Sequence, residues 1–218
     1  MGQLFPERAN AIARAVVIGL PLILLGLAAA VFAYARSDFW THVDTPLDQP
    51  VPFSHQHHVA GLGIDCRYCH TGVEQSAVAG VPAVETCMTC HSQVWKDAPV
   101  LQPVRASWQT GAPIKWTRVH DLPDYVYFDH SIHVRKGVGC ATCHGQINEM
   151  PLTWKTQDLQ MRWCLDCHRE PQKYLRPTDA VADMNYRPPP NQVALGRQLL
   201  QTNNVHTAGL TDCATCHR

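Results

Sequence analysis

The pattern of apolar and polar positions divides the chain near residue 36. Residues 15–35 form a run of 21 residues without a charged side chain. As an α-helix this run would be about 31 Å long, which is the thickness of one hydrocarbon core. The proline within it, Pro21, is tolerated when neighbouring helices pack around it. The pattern therefore predicts one transmembrane anchor over residues 15–35.

A cleaved signal peptide is the alternative interpretation of the same run. The tripeptide Ala33-Tyr34-Ala35 matches the small-residue pattern of a cleavage site. The run is longer than the apolar part of a usual signal peptide, however, which favours a retained anchor.

The basic residues around the run predict its orientation. Arg8 and Arg14 precede it, whereas Arg36 follows it among several aspartates. The positive-inside rule then places residues 1–14 in the cytoplasm. Residues 36–218 would lie outside the inner membrane, in the periplasm.

Beyond residue 36 the hydrophobic periodicity is weak. Short helical patterns cover residues 86–93, 159–169 and 193–203, and residues 174–191 are rich in proline and extended. The predicted fold of this region is mostly loops with short α-helices.

Composition excludes one large class of functions and suggests another. The 18 Lys and Arg residues balance the 18 Asp and Glu residues. Without a basic excess, binding to nucleic acid is not expected. The unusual numbers are 10 cysteines and 13 histidines, which indicate metal or cofactor chemistry.

All ten cysteines belong to five copies of the motif C-x-x-C-H. In such a motif the two thiols add to the vinyl groups of one haem, and the adjacent histidine binds the iron from the proximal side. We number the five predicted haems c in chain order, with attachment sites Cys66 and Cys69, Cys87 and Cys90, Cys140 and Cys143, Cys164 and Cys167, and Cys213 and Cys216. The predicted proximal iron ligands are His70, His91, His144, His168 and His217.

Other uses of paired cysteines fit this pattern less well. Zinc knuckles pair one C-x-x-C with another, and five copies is an odd number. Five disulfides would not require a histidine after every second cysteine. The residues around Cys164 and Cys167 are similar to a thiol redox motif, but they have the same form as the other four copies.

The spacing of the motifs reveals an internal repeat. Successive copies start 21, 53, 24 and 49 residues apart, and a segment F-x-H-x-x-H precedes each close pair, at residues 53–58 and 128–133. Such a period indicates a structural module copied along the chain. We expect repeat units over residues 53–127 and 128–200, with a truncated third unit over 201–218. The short steps also predict that paired haems lie close together.

The remaining histidines decide between an electron carrier and a haem enzyme. Eight are left after the proximal ligands: His42, His55, His57, His58, His120, His130, His133 and His206. A second axial histidine fills the iron's coordination sphere, whereas a catalytic haem keeps an open position. At least five spare histidines are available for five irons, so electron transfer is the favoured function and no catalytic residue is predicted.

Four of these histidines are the best candidates for distal ligands, namely the pairs of the F-x-H-x-x-H segments: His55, His58, His130 and His133. The fifth distal ligand is open. His120 is the first candidate, and His206 and Met161 are alternatives, the last because a thioether near Cys164 would raise the potential of haem 4. Met150 is a weaker candidate.

The combination of F-x-H-x-x-H with a following C-x-x-C-H resembles the class III multihaem cytochromes c, the c3 and c7 group. This resemblance implies that the first histidine of each segment ligates the following haem and the second reaches another haem. Carried over, His55 would serve haem 1 and His130 haem 3. His58 and His133 would serve the next haem of each pair.

The whole chain is similar to a narrower family, the pentahaem subunit of bacterial alternative complex III. The similar features are the N-terminal anchor, five haem motifs, and the segments at residues 119–133 and 161–169. This resemblance implies a subunit of a quinol-oxidising membrane complex. Electrons would arrive from an iron–sulfur subunit beside polytopic membrane subunits, and would leave to a monohaem cytochrome c or a terminal oxidase.

Two other functional classes remain open from the sequence. One is a membrane-anchored multihaem quinol dehydrogenase that oxidises quinol itself and feeds a periplasmic reductase. Its relatives usually place the first haem motif closer to the span, whereas about 30 residues intervene here. The other is a haem enzyme, which the number of spare histidines disfavours.

Overall fold

The computed structural model describes Pro6 and residues 8–217. Residues 1–5 and 7 of the predicted cytoplasmic segment lie outside the described residues, as does Arg218 at the end of the predicted haem region. The chain divides into two compact units, Met1–His42 and Val43–Arg218.

The first unit is dominated by helix α1, Ala9–Ala35, which has 27 residues. Among the described residues it is the one helix long and apolar enough to cross a membrane. Helix α1 begins before the apolar run of residues 15–35. The charged side chain of Arg14 ends the apolar run but is compatible with helical geometry. Pro21 lies inside the helix without ending it, so the predicted apolar helix is present and longer than the run that predicted it.

A short helix, α2 (Asp38–Thr41), follows α1 and belongs to the same unit. The ring of Tyr34 lies 5.9 Å from that of Phe39 and 5.6 Å from that of Trp40, measured between centroids. These two contacts extend the unit beyond residue 35, where the apolar run stops. Tyrosine and tryptophan favour the boundary between a membrane and water, so this cluster is typical of the end of a span.

The second unit consists of short helices joined by loops. Its α-helices are α3 (Cys66–Cys69), α4 (Val84–His91), α5 (Gln102–Thr110), α6 (His130–Arg135), α7 (Cys140–His144), α8 (Met161–Arg169), α9 (Gln192–Thr202) and α10 (Cys213–Cys216). A π-helical segment covers Gln56–Gly61, and single 3-10 turns cover Pro99–Leu101, Ile147–Glu149, Pro171–Lys173 and Thr178–Ala180. The three predicted helices correspond to α4, α8 and α9 within two residues, which is the usual uncertainty of helix ends.

Extended structure is scarce in this unit. Over the described residues the β-pairing is limited to isolated bridges, which join Val43 to Lys155 and Val138 to Leu175. The mostly loop and short-helix fold predicted from the weak periodicity is therefore confirmed.

The apolar core of the described residues is small for a chain of this length. It comprises Val51, Leu101, Val104, Met150, Leu175, Val181, Met184 and Leu199. A folded domain of this size normally buries most of the surface of its unfolded chain. Additional apolar volume must therefore come from groups other than these side chains, and five porphyrins would provide it.

One close packing contact stabilises the C-terminal part of the unit. Helix α9 lies against the 3-10 turn Pro171–Lys173 so closely that a Cβ atom at Gly196 would lie 1.9 Å from the carbonyl oxygen of Gln172. Glycine is required at this crossing because a side chain would overlap with the main chain of the turn.

We expect the second unit to fold only when the haems are attached. Replacing all ten motif cysteines with alanine should abolish its cooperative thermal unfolding, measured by far-UV circular dichroism on the detergent-solubilised chain. The physical reason is that the remaining apolar core is too small to offset the conformational entropy of the chain. Helix α1 should persist and serves as the internal control. A cooperative transition at the temperature of the haem-loaded protein would contradict this expectation.

Candidate haem-binding sites

Every C-x-x-C-H motif lies on a short stretch of α-helix. The five stretches are α3, the last turn of α4, α7, the middle of α8, and α10. In an α-helix, residues three apart point to the same face, so both thiols of a motif can reach the two vinyl groups of one porphyrin. At α3 the carboxylate of Asp65 accepts a hydrogen bond from the backbone N–H of Arg67 at 2.8 Å and caps the turn.

The histidine of each motif is held through its Nδ1 atom. Four of the five contact a backbone carbonyl oxygen: His70 with Gly80 at 2.7 Å, His91 with Val94 at 3.0 Å, His168 with Leu210 at 2.9 Å, and His217 with Tyr125 at 3.2 Å. A carbonyl can only accept, so Nδ1 carries the proton and Nε2 keeps its lone pair. These rings therefore present the nitrogen that an iron would bind.

One of these carbonyls depends on an unusual backbone conformation. Gly80, whose carbonyl oxygen contacts His70, has a φ angle of +82°. This left-handed region is readily adopted by glycine and costs energy for other residues. The glycine thus allows the loop to turn its carbonyl toward the His70 ring.

The two F-x-H-x-x-H segments adopt the same ring arrangement. Phe53 stacks on His58, with centroids 4.4 Å apart, and Phe128 stacks on His133 at 4.6 Å. Each phenylalanine also meets the first histidine of its segment edge to face, His55 at 5.0 Å and His130 at 4.7 Å. The phenylalanine therefore orients both histidines, which explains its presence in the pattern.

The second histidine of each segment is anchored within its own turn. The Nδ1 atom of His58 contacts the carbonyl oxygen of Ser54 at 2.8 Å, and that of His133 contacts Asp129 at 2.7 Å. In both cases the acceptor is four residues earlier and belongs to the backbone. Sequence reasoning did not identify these acceptors because any residue type can supply a carbonyl.

The first histidine of each segment is anchored by the other repeat. His130 in the second repeat contacts the carbonyl oxygen of Ala77 at 2.9 Å, and His55 in the first contacts Thr153 Oγ1 at 3.1 Å. The two repeats thus interlock through reciprocal contacts. Thr153 could not be found from sequence, because it lies 98 residues from His55 and belongs to no motif.

Three pairs of imidazole rings have the separation that a bis-histidine iron requires. The centroids of His58 and His91 are 6.2 Å apart, those of His130 and His144 are 6.4 Å apart, and those of His133 and His168 are 6.2 Å apart. A metal–nitrogen bond of about 2 Å on each side separates two ring centroids by about 6 Å. The donor sets therefore fit haems 2, 3 and 4.

His55 lies close enough to His70 for the charge of His70 to affect its pKa. Burial first, and then the charges of His70, His58 and His120, lower the pKa of His55 to about 4. Burial likewise lowers the pKa of His133, and that of His144 to about 3. A neutral imidazole is the form that binds a metal, so these environments suit axial ligands.

The candidates for the fifth distal ligand lie in different surroundings. His120 contacts His144, with 3.2 Å between His120 Nε2 and His144 Nδ1 and 4.3 Å between ring centroids. Its Nε2 therefore contacts the predicted proximal ligand of haem 3, and the distal-ligand role of His120 stays a prediction. His206 is exposed, and the Met161 side chain is 58% exposed, whereas Met150 is buried.

Contacts between cysteines of different motifs reveal which sites are neighbours. Cys66 and Cys140 lie close enough for their interaction to lower the pKa of the Cys66 thiol and raise that of the Cys140 thiol, which places sites 1 and 3 side by side. Burial first, and then the charge of Cys87, raises the pKa of the Cys69 thiol, so sites 1 and 2 adjoin.

The second repeat continues this series. Burial raises the pKa of the Cys143 thiol to about 12, with further contributions from Cys167 and Cys164, which places sites 3 and 4 side by side. Burial and then Cys216 raise the pKa of the Cys164 thiol, and this contact joins sites 4 and 5. The sites therefore follow one another in the order 2, 1, 3, 4, 5.

Comparison with known proteins agrees with this geometry. Residues 37–111 match the family model of the class III cytochrome C family, and residues 126–218 match the model of cytochrome c7 and related cytochrome c. Each matched region contains one F-x-H-x-x-H segment and its haem motifs. These matches confirm the predicted fold class, a multihaem cytochrome c, and imply covalently bound haem c.

A curated relative is the multihaem cytochrome c subunit of menaquinone reductase from Nitratidesulfovibrio vulgaris. It is 36% identical to this chain over 106 residues, which are 48% of this chain and 49% of that protein. The chain thus spans about half the length of this relative.

We expect the His130→Ala variant to keep the haem on Cys140 and Cys143 but to lose its sixth ligand. The thioether bonds do not depend on the distal side, so the haem content should be unchanged. One iron should shift toward high spin and bind carbon monoxide, measured by electron paramagnetic resonance (EPR) and absorption spectra. The matched control is His57→Ala, an exposed residue of the other segment. High-spin iron in the control but not in His130→Ala would show that the ligand register is wrong.

Proposed function

We propose that this chain is the electron-transfer subunit of a quinol-oxidising respiratory complex in the inner membrane, related to alternative complex III. In this proposal residues 36–218 carry five haems c in the periplasm and residues 15–35 anchor them. The observation that carries the proposal is the set of three histidine ring pairs spaced 6.2–6.4 Å apart. Such pairs fill both axial positions and so favour electron transfer over catalysis at the iron.

The proposed ligand assignment follows from the same contacts. The proximal ligands are the five motif histidines, and the distal ligands are His55 for haem 1, His58 for haem 2, His130 for haem 3 and His133 for haem 4. Each ring uses Nδ1 for a hydrogen bond, which leaves Nε2 for iron. The distal ligand of haem 5 is not assigned.

The proposed route for electrons runs through the haems in the order 2, 1, 3, 4, 5. The supporting observations are the contacts between cysteines of neighbouring motifs, because each cysteine marks the edge of its own porphyrin. Haems 2 and 5 are then the two ends of the series, where electrons would enter and leave. Haem 3 lies in the middle and connects the two repeats.

The partners in this proposal are an iron–sulfur subunit, polytopic membrane subunits, and a monohaem cytochrome c or terminal oxidase as acceptor. The apolar helix α1 and the aromatic cluster of Tyr34, Phe39 and Trp40 support attachment to a membrane. The relative that is a subunit of menaquinone reductase supports a quinone-linked complex.

The printed function of that relative also favours a second candidate, a subunit of a complex that reduces menaquinone. A series of haems carries electrons in either direction, and the difference in potential between donor and acceptor decides which. Both candidates share the haem series and the membrane anchor. They differ in the partner subunits, so the two can be separated by isolating the complex.

We expect the isolated haem-loaded chain to remain oxidised with menaquinol, and the complex purified from native membranes to be reduced by it. The reason is that quinol oxidation takes place on partner subunits in this proposal. The measurement is the absorbance of reduced haem c after anaerobic mixing, with dithionite as the control for reducible haem. Reduction of the isolated chain by menaquinol would instead support an anchored quinol dehydrogenase. Reduction of menaquinone by the complex with a strong donor, without quinol oxidation, would support the second candidate.

The proposed haem order predicts which potentials are coupled. Removing haem 1 with Cys66→Ala and Cys69→Ala should shift the potentials of both haem 2 and haem 3, since the charge of a reduced haem acts on its neighbours. Removing haem 5 with Cys213→Ala and Cys216→Ala is the matched control and should leave haems 2 and 3 unchanged.

EPR-monitored redox titration can separate these haems. The ring planes of the haem 2 pair are 68° apart, whereas those of the haem 3 pair are 9° apart. Perpendicular and parallel imidazoles give different low-spin signals, so haem 2 can be followed separately from haem 3. An unchanged haem 3 potential after removal of haem 1 would contradict the proposed order.

A further inference from the structure

The proximal histidine of haem 3 differs from the other four in what holds it. The Nδ1 atoms of His70, His91, His168 and His217 contact backbone carbonyl oxygens. The Nδ1 atom of His144 instead lies 3.2 Å from Nε2 of His120, with the two rings inclined at 69°. Haem 3 is thus the site at which a side chain, rather than the main chain, contacts the proximal ligand.

The direction of this hydrogen bond follows from the ligand role of His144. If His144 binds iron through Nε2, its Nδ1 must carry the proton and donate it. His120 then accepts through the lone pair of Nε2 and carries its own proton on Nδ1. Both rings are neutral in this arrangement.

Two hydrogen bonds and an ion pair restrain the segment that carries His120. It lies in the loop between α5 and α6, which is tied to Gln49 by two hydrogen bonds with the backbone of Thr117. The Gln49 side chain donates to the Thr117 carbonyl oxygen at 3.0 Å and accepts from the Thr117 N–H at 3.0 Å. Arg118 and Asp121, on either side of His120, form an ion pair at 3.2 Å.

An imidazole nitrogen is a stronger base than an amide oxygen, so it accepts a stronger hydrogen bond. A stronger acceptor on Nδ1 shifts electron density toward Nε2 and makes the proximal ligand more basic. A more basic ligand stabilises ferric over ferrous iron and lowers the reduction potential. The contact therefore acts on haem 3, the middle member of the proposed series.

We propose that His120 is a positioning residue for haem 3, which accepts a hydrogen bond from His144, holds the plane of that ring, and lowers the potential of this haem. The proposal rests on the proposed ligation of haem 3 by His130 and His144. The rings of these two ligands are only 9° from parallel. His120 meets the His144 ring on the side away from the iron and restrains its rotation.

The test compares His120→Leu with His120→Gln in the full haem-loaded chain. Leucine removes the acceptor, whereas the amide oxygen of glutamine restores an acceptor of the strength found at the other four haems. His57→Leu is the matched control because it removes an exposed histidine that is not a predicted ligand. Haem content is measured by intact mass, spin state by EPR, and potentials by EPR-monitored titration.

With His120→Leu we expect unchanged haem content, no more high-spin iron than in the unmodified chain, and a shift of the haem 3 component to higher potential. The low-spin signal of haem 3 should also change shape, because its proximal ring can rotate. His120→Gln should give a smaller shift in the same direction, and His57→Leu should leave the haem 3 component as it is in the unmodified chain.

Two outcomes would overturn the inference. High-spin iron that is present in His120→Leu but not in the unmodified chain would show that His120 is an axial ligand, and an unchanged haem 3 potential would show that the contact has no influence. If the leucine variant loses haem, the glutamine variant is tested in its place, and its spin state and haem 3 potential are compared with those of the unmodified chain. Failure of the ligand assignment is distinguishable, because His130→Ala would then leave haem 3 low-spin.

Discussion

Axial ligation by histidine requires that one ring nitrogen faces the iron while the protein holds the other. The second unit of this chain satisfies that requirement at nine described histidines, each of which uses Nδ1 for a hydrogen bond within the protein. Eight partners are backbone carbonyls or a hydroxyl, and the ninth is another imidazole. Loops, turns and short helices are arranged around these contacts, because the rings must stay in place on both sides of each porphyrin.

This constraint explains why the fold has so little regular structure. Five of the carbonyls that contact a ring, those of Ala77, Gly80, Val94, Tyr125 and Leu210, lie in turns or loops rather than in helices, so the chain turns where these histidines are anchored. The left-handed conformation of Gly80 and the short capped turn of α3 are two local consequences. The apolar surface that regular elements would otherwise bury among themselves is left for the porphyrins, which agrees with the small core of protein side chains.

The two repeats depend on each other through the same type of contact. His130 is held by the carbonyl of Ala77 in the first repeat, and His55 by the hydroxyl of Thr153 in the second. These reciprocal contacts bring site 1 next to site 3, where Cys66 meets Cys140. The junction of the two repeats is therefore also the junction of the proposed electron route, and it is the place where His120 contacts the proximal ligand of haem 3.

Much of this protein could be predicted from local sequence. The apolar run, the five haem motifs, the repeated F-x-H-x-x-H segments and the three longer helices of the second unit depend on neighbours along the chain, and the structure contains each of them. The pairing of His58, His130 and His133 with particular haem motifs follows from family resemblance and stays a prediction, which the ring distances fit. The contact of His120 with His144 could not be predicted, because a histidine outside the motifs has no local signal for its partner.

The sequence by itself indicated covalent haem attachment, since this chemistry needs two cysteines three residues apart followed directly by a histidine. Only the tertiary structure decided which motifs lie beside one another and the second contact of each ligand ring. The haem order proposed from those contacts, 2, 1, 3, 4, 5, does not follow the order of the motifs along the chain. The partners of His55 and His144 lie 98 and 24 residues away. Contacts over such separations arise from how the loops fold back on one another, and no local pattern of residues encodes them.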